Sequence, residues 1–447
     1  MSNITSKQRL VVILANAYVV FVCAIFLSTG DMALGKFGYI STPTIMAILL
    51  LLPIAVVSTV SGFKDRGLPI RETVEANLLP ISAFLLIVCA SFAWALHPTA
   101  FWHDGAKYIF LDSYGFIIFV LSLFLLLHRR FRSARLIFAR AALVALFLSM
   151  MTDLMLPGFF SVVPSRAAGF PGNSNYGALV LNFLCAASLT YRTATVMKKG
   201  DLFYLGLTAV GVFTTQSRSG ILEFLALLSF YFIYCQAAGG WSALRLAAWI
   251  ASIVVLLASI ALVAVLLANN TAMFEGYRTR LDRLGGNSQI DDGSSSDRIQ
   301  AAKAALEKID DSPILGHGTG HSRFLETPPH NIYLQQWVNC GLLGLLAYLM
   351  LLIGSWWVYF KRECPAGMGL ITVAIVGGFF SHNILEQRPF LMLLGMLLTE
   401  SAVKARWRWA ASRPPKLYVV YAQVGEDRTP SAADIRAVER GLYQPVH

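Results

Sequence analysis

Residues 331–359, NIYLQQWVNCGLLGLLAYLMLLIGSWWVY, form the longest of several mainly apolar runs in a chain of 447 residues. A helix that crosses a bilayer needs about 20 such residues, so this run predicts a membrane span. Working outward, runs that also predict spans lie at 8–28, 40–60, 78–96, 108–127, 136–156, 174–191, 202–216, 219–235, 244–268, 367–384 and 388–404. The composition agrees: 56% of the residues are hydrophobic and 14% charged, against about 45–50% and 25% in soluble proteins. Mean hydropathy is +0.61. A disordered chain, a nucleic-acid scaffold and a secreted disulfide module are excluded. The expected fold is an all-α polytopic membrane protein with about 12 spans.

The net charge of +11 is explained by where the cations fall. With the N-terminus inside, the alternate loops expected to be cytoplasmic hold 20 Lys and Arg, and the short loops opposite hold five: Lys36, Lys107, Arg166, Arg218 and Arg388. Cytoplasmic loops collect such cations, so an even number of spans is expected, with both termini in the cytoplasm. Without the short run at 202–216, the two halves of the chain would carry opposite orientations. The N-terminal run has no clear small-residue cleavage site and reads as an uncleaved first span. The six cysteines lie in or beside apolar runs and form no CxxC pair. Neither a structural disulfide nor a thiolate metal site is expected.

This layout divides the chain into spans one to nine (1–268), a long outer loop (269–330), spans ten to twelve (331–410) and a polar cytoplasmic tail (411–447). Within the loop, Ser295, Ser296 and Asp297 are N-cap types, and Ile299, Ala302, Leu306 and Ile309 follow at helical spacing. A short amphipathic helix over about 297–309 is predicted. It is expected to lie on the membrane surface or to roof a cavity. Asp311-Ser312-Pro313 ends it, before the Gly/His-rich turn Gly316-His317-Gly318-Thr319-Gly320-His321.

Charges and caps on the outer face are few and therefore informative. Arg166 precedes Asn173-Ser174-Asn175, where Asn173 is an N-cap candidate. Helix N–H groups beside a guanidinium make an anion site; an ordinary turn with an interfacial Arg reads equally from the spacing. Arg218 stands at the edge of a span, where a cation needs a partner, water or head-groups. Glu223 lies one turn deeper, and spacing alone does not pair it with Arg218. Arg298 occupies the first turn of the predicted loop helix, where acids are the usual choice. His330-Asn331, behind Pro328-Pro329, opens the longest span; a His in an outer cavity can act as a general base near neutral pH. Gly341 and Gly344 further along suggest the close approach of a neighbouring helix. There is no D-x-D, no HExxH and no ligand spacing for a metal; His317 and His321 are separated by glycines, as in a loop. No Walker motif, dinucleotide fingerprint or Ser/Cys nucleophile motif occurs.

Four groups of residues together resemble the O-antigen ligase family of bacterial inner-membrane glycosyltransferases, which belongs with the O-antigen polymerases and protein O-oligosaccharyltransferases. They are Arg166-x-x-Gly169 with Asn173-x-Asn175; Ser217-Arg218; Arg298 with Pro313-Ile314-Leu315-Gly316-His317-Gly318; and His330-Asn331-x9-Gly341-x-x-Gly344. The last is the most specific. The matches span 164–344; the first 160 residues match only in topology.

The resemblance implies a GT-C-like architecture. It implies undecaprenyl-diphosphate-linked O-antigen as donor, lipid A–core oligosaccharide as acceptor, and inverting transfer in the periplasm with no metal and no cofactor. His330 would be the general base, with Arg218 and Arg298 catalytic cations. Arg166, Asn173, Asn175, Asn331, His317 and His321 would bind substrate. A polymerase or protein O-oligosaccharyltransferase differs in acceptor, and a lipid-linked-sugar transporter would use the same arginines along a path. Transporters usually carry structural repeats, and none is visible in the sequence.

Overall fold

A computed structural model describes residues 6–37, 43–64, 70–95, 102–126, 134–191, 198–239 and 293–412. The described residues fold into α-helices and two short 3-10 turns, with no strand among them. In chain order the helices are α1 (Ser6–Leu27), α2 (Gly30–Lys36), α3 (Pro43–Lys64), α4 (Ile70–Ala76), α5 (Leu78–Trp94), α6 (Trp102–Leu125) and α7 (Arg135–Met155). Then follow α8 (Ser174–Ser188), α9 (Lys199–Thr215), α10 (Arg218–Gly239), α11 (Gly293–Asp311), α12 (Ile332–Lys361), α13 (Pro365–Gly378) and α14 (Arg388–Ser412). Eleven of the twelve predicted spans overlap one of these helices; the span at 244–268, the first part of the outer loop and nearly all of the tail lie outside the described residues.

Among the described residues, three helices are individually long and apolar enough to cross a membrane: Arg135–Met155, Arg218–Ala237 and Ile332–Lys361. Two bent pairs, α1 with α2 (72°) and α4 with α5 (77°), bring this to as many as five. Shorter apolar helices cover Ala47–Val60, Ile109–Leu125 and Pro365–Gly378. The chain is a multi-pass membrane protein of helices only among its described residues.

α8 is the hub. All but two of its residues are buried, and it packs against α7, α9, α10, α13 and α14. Such a helix shows no polar face because it has no exposed side. At one end of the bundle, Arg135 of α7 is buried and pairs with Glu400 of α14 at 2.5 Å. Arg362 there donates to Asn77 Oδ1 at 2.7 Å and to the Leu398 carbonyl at 3.1 Å. Asp201 accepts from the Thr190 N–H (3.1 Å) and hydroxyl (2.7 Å) and from the Tyr231 hydroxyl (3.0 Å). At the opposite end, Arg388 is buried against Asp31 at 2.7 Å. Sorting cations by loop treats Arg135 and Arg388 as solvated charges. The structure instead pairs each with a carboxylate from a helix far away in sequence, because an unpaired buried charge is untenable.

α11 is six residues longer than its predicted 13-residue core, and its buried face is different. Ala301, Ala305 and Ile309 are at most 3% exposed, whereas Ile299 is 59% and Leu306 48% exposed. Spacing placed Ile299, Ala302, Leu306 and Ile309 on one face. The small alanines face inward instead, Ala305 and Ile309 in a cluster with Leu325, Leu334, Trp337 and Val338, where α11 packs on α12.

Candidate active site

The N-terminal half of α12 is a separate structural unit. Asn331 caps it: its Oδ1 accepts from Tyr333 N–H (2.9 Å) and Leu334 N–H (3.2 Å). The helix then breaks at Cys340–Gly341, where Gly341 adopts φ 63° and ψ −159°, a conformation that is essentially open to glycine alone. The carbonyls freed by the break are used. Val338 O accepts from His317 N–H and Asn339 O from Gly318 N–H, both at 2.9 Å, while Leu342 N–H donates to Pro313 O at 3.1 Å. The segment Pro313–Gly318 thus plugs the break, and Trp337 Nε1 holds Pro313 O at 2.9 Å. Gly341 therefore admits a loop rather than the neighbouring helix expected from the sequence, and Gly344 faces Cys340 and Gln336 O of its own helix.

On the other side, one buried carboxylate organises the loop between α7 and α8. Asp153 Oδ1 accepts from Phe160 N–H (2.6 Å) and Ser161 N–H (3.1 Å). Its Oδ2 accepts from the Ser161 hydroxyl (2.5 Å), Ala168 N–H (3.0 Å) and Gly169 N–H (2.8 Å). The loop so held delivers Arg166 and Asn173. Asn173 Oδ1 caps α8 through Asn175 N–H at 3.0 Å and Tyr176 N–H at 3.2 Å. Arg166 donates to Asn175 Oδ1 at 2.9 Å and to the Thr215 carbonyl at 3.1 Å, so it ties the start of α8 to the end of α9.

These two units face each other across a cavity of about 400 Å³. Asn173, Asn175 and Tyr176 line it from α8, Ser219 and Glu223 from α10, Arg298 from α11, and His330, His382 and Asn383 from the remaining side. A smaller cavity of about 160 Å³ holds Arg166 and shares Asn173 and Asn175 with it. Glu223, 1% exposed, has Asn182 as its partner: Asn182 Nδ2 donates to Oε2 at 3.1 Å.

His330 is exposed to the cavity. Its pKa lies below the usual 6.5 because the cavity wall desolvates the imidazolium, and the Arg298 and Arg323 charges then repel it. Its ring lies 5.2 Å from that of His382, centre to centre. The backbone holds the two segments together, since Ile332 N–H donates to Ser381 O at 3.1 Å. Burial, Arg323 and His330 push His382 down to about 4. Both shifts favour the neutral ring, the state a base requires.

The cavity gathers Asn173, Asn175, Arg298 and His330 from the sequence-predicted set, with Arg166 one chamber away. Arg218 begins α10 with an exposed side chain, and it is Ser219 beside it that lines the cavity. His317 and His321 stack on each other at 4.8 Å, and His317 Nε2 meets Lys308 O at 2.7 Å; His317 belongs to the plug and His321 to the 3-10 turn that follows it. Asn331 contributes a cap. His382 and Arg323 were missed. His382 ends an apolar run 52 residues after His330, and no local pattern links them.

Among the described residues no three His, Cys, Asp or Glu side chains gather to hold a metal ion; Arg298 brings a positive charge to the cavity wall. No curated protein matches the chain. Residues 203–349, from α9 through more than half of α12, match the family model described as O-antigen ligase, a family of glycosyl-transferring enzymes. This stretch, about a third of the chain, is thus similar to the O-antigen ligase family, and it holds the motifs at Ser217-Arg218, Arg298 and His330-Asn331.

Proposed function

We propose that this protein is an O-antigen ligase of the bacterial inner membrane, with twelve spans, both termini cytoplasmic and its cavity opening to the periplasm. It transfers the glycan of undecaprenyl-diphosphate-linked O-antigen to a sugar hydroxyl of lipid A–core, in one inverting displacement. The observation that carries the reading is that Arg298, His330 and the capped start of α8 line one cavity. Breaking the anomeric C–O bond leaves negative charge on the diphosphate, and preorganised cations stabilise such charge. Arg298 lines the cavity opposite the Asn173 and Asn175 side chains, and Arg166 and Arg218 add positive charge nearby. His330 takes the proton from the acceptor oxygen as that oxygen bonds to the anomeric carbon. Arg298 also serves timing: a bound diphosphate compensates its charge, removes a repulsion from His330 and makes the base stronger when the donor is present.

Purified protein in liposomes, given the lipid-linked donor and lipid A–core, tests this reading. Long-chain product without ATP or added metal is expected. A product in which glycan repeats extend one another, with lipid A–core untouched, would make the protein a polymerase. Replacing Arg218 or Arg298 by Ala should raise the donor KM, and wild-type donor use by both variants would refute the diphosphate clamp.

A further inference from the structure

His382 lines two chambers. One is the cavity it shares with His330. The other, about 10 Å³ and so about the size of one water molecule, is polar, with Ser91, Asp112, Gln335, Asn339 and Glu386 in its wall. Asp112 accepts a hydrogen bond from the Ser91 hydroxyl. His382 Nδ1 is buried and has no hydrogen-bond partner among the described residues. A buried polar atom in that condition calls for an explanation. A neutral imidazole carries one N–H and one lone pair on opposite sides of its ring, so it can receive a proton on one nitrogen and release one from the other.

The need for such a group follows from the reading above, on which this inference rests. Two glycolipids filling the cavity would shut His330 off from bulk water. Arg298 and Arg323 disfavour the proton it has just received. We propose that His382 relays this proton from His330 into the polar chamber. The acceptor oxygen bonds to the anomeric carbon, the C–O bond to the diphosphate breaks and the diphosphate keeps the electron pair. The acceptor's proton goes to His330. His330 then gives a proton to one ring nitrogen of His382, while the other ring nitrogen releases one to a carboxylate of Asp112 or Glu386, directly or across one water. Both histidines end neutral and one carboxyl is protonated; the proton returns by the same route when product leaves. The charged and titratable groups in the two chambers that His382 lines are His330, Arg298, Glu223 and Tyr176 in the larger and Asp112, Glu386 and Cys340 in the smaller, and Arg323 adds a repulsive charge.

The test compares His382→Ala and His382→Gln with wild type in liposomes, after checking that each elutes and melts as the parent does. The relay predicts that kcat falls about 10²-fold in both variants, with both KM values within about twofold. It also predicts that added imidazole restores much of the rate to the Ala variant. Wild-type kcat in His382→Ala would overturn the relay, as would full activity in His382→Gln, since Gln can hydrogen-bond but cannot pass a proton this way. Should His330→Ala itself retain wild-type kcat, the base assignment fails and the relay with it. A slow His330→Ala beside a normal His382→Ala removes the relay alone.

Discussion

Gly341 and Ile314 meet where α12 is broken: a Cβ on Gly341 would lie 2.0 Å from the Ile314 carbonyl oxygen. Gly316 faces the same contact from the loop, and its own Cβ would lie 2.4 Å from Gly341 N. The spacing between His330-Asn331 and Gly341 therefore has a length with a meaning. It measures a half-helix, capped by Asn331 at one end and stopped by a plugged break at the other. At about 1.5 Å per residue, the ten steps from Asn331 to Gly341 set the cap about 15 Å from the break.

Gly341→Ala is expected to cost about 3 kcal/mol or more, since strained backbone and overpacking each cost about 1–3 kcal/mol. Thermal unfolding in detergent checks this, and limited proteolysis should show cleavage in the 313–318 loop. A wild-type melting profile would mean that the plug is not a tight contact.

Asn331→Ala should cost about 0.5–2 kcal/mol through the lost cap, while Asn331→Asp keeps an acceptor oxygen and should melt near wild type. Because the cap also aims His330, the Ala variant is expected to lose kcat more than it changes either KM. A rise in KM alone would give Asn331 a direct role in binding substrate.

At the far end of the bundle, Glu400→Ala leaves Arg135 buried without its carboxylate and should destabilise the protein by about 3–5 kcal/mol. Arg135→Met combined with Glu400→Leu removes both charges and should recover most of that loss. Equal damage from the double and single variants would show that the pair is not coupled.

Much of this architecture is legible in the sequence, and the reasons for the rest are physical. Apolar runs predict helices because a bilayer demands length and continuous hydrophobicity, and Asn173 and Asn331 announce caps because capping is local. Asp153, Asp31 and His382 give no such signal. Each acts through partners that only the folded chain brings near, and an isolated polar residue in an apolar run does not reveal whether it braces a loop, neutralises Arg388 or faces a cavity. The inward face of α11 is misread for a related reason: close packing prefers Ala301 and Ala305 to the larger Ile299 and Leu306, while hydrophobicity alone prefers the reverse.

The pH dependence of transfer follows from the arginines beside His330. A base must be unprotonated, so activity falls as pH drops through its pKa, which lies below 6.5. Arg323→Gln removes one repulsive charge, raises that pKa and should move the acid limb of the kcat profile to higher pH. A limb that stays in place, or moves to lower pH, would separate Arg323 from the titration.

The most direct test of the central claim is single-turnover glycan transfer by purified His330→Ala, with donor and acceptor both saturating. Removing a general base costs about 10²–10⁴-fold in rate, and a loss of that size with donor binding retained is the predicted result. Transfer by the variant at the wild-type rate would contradict it.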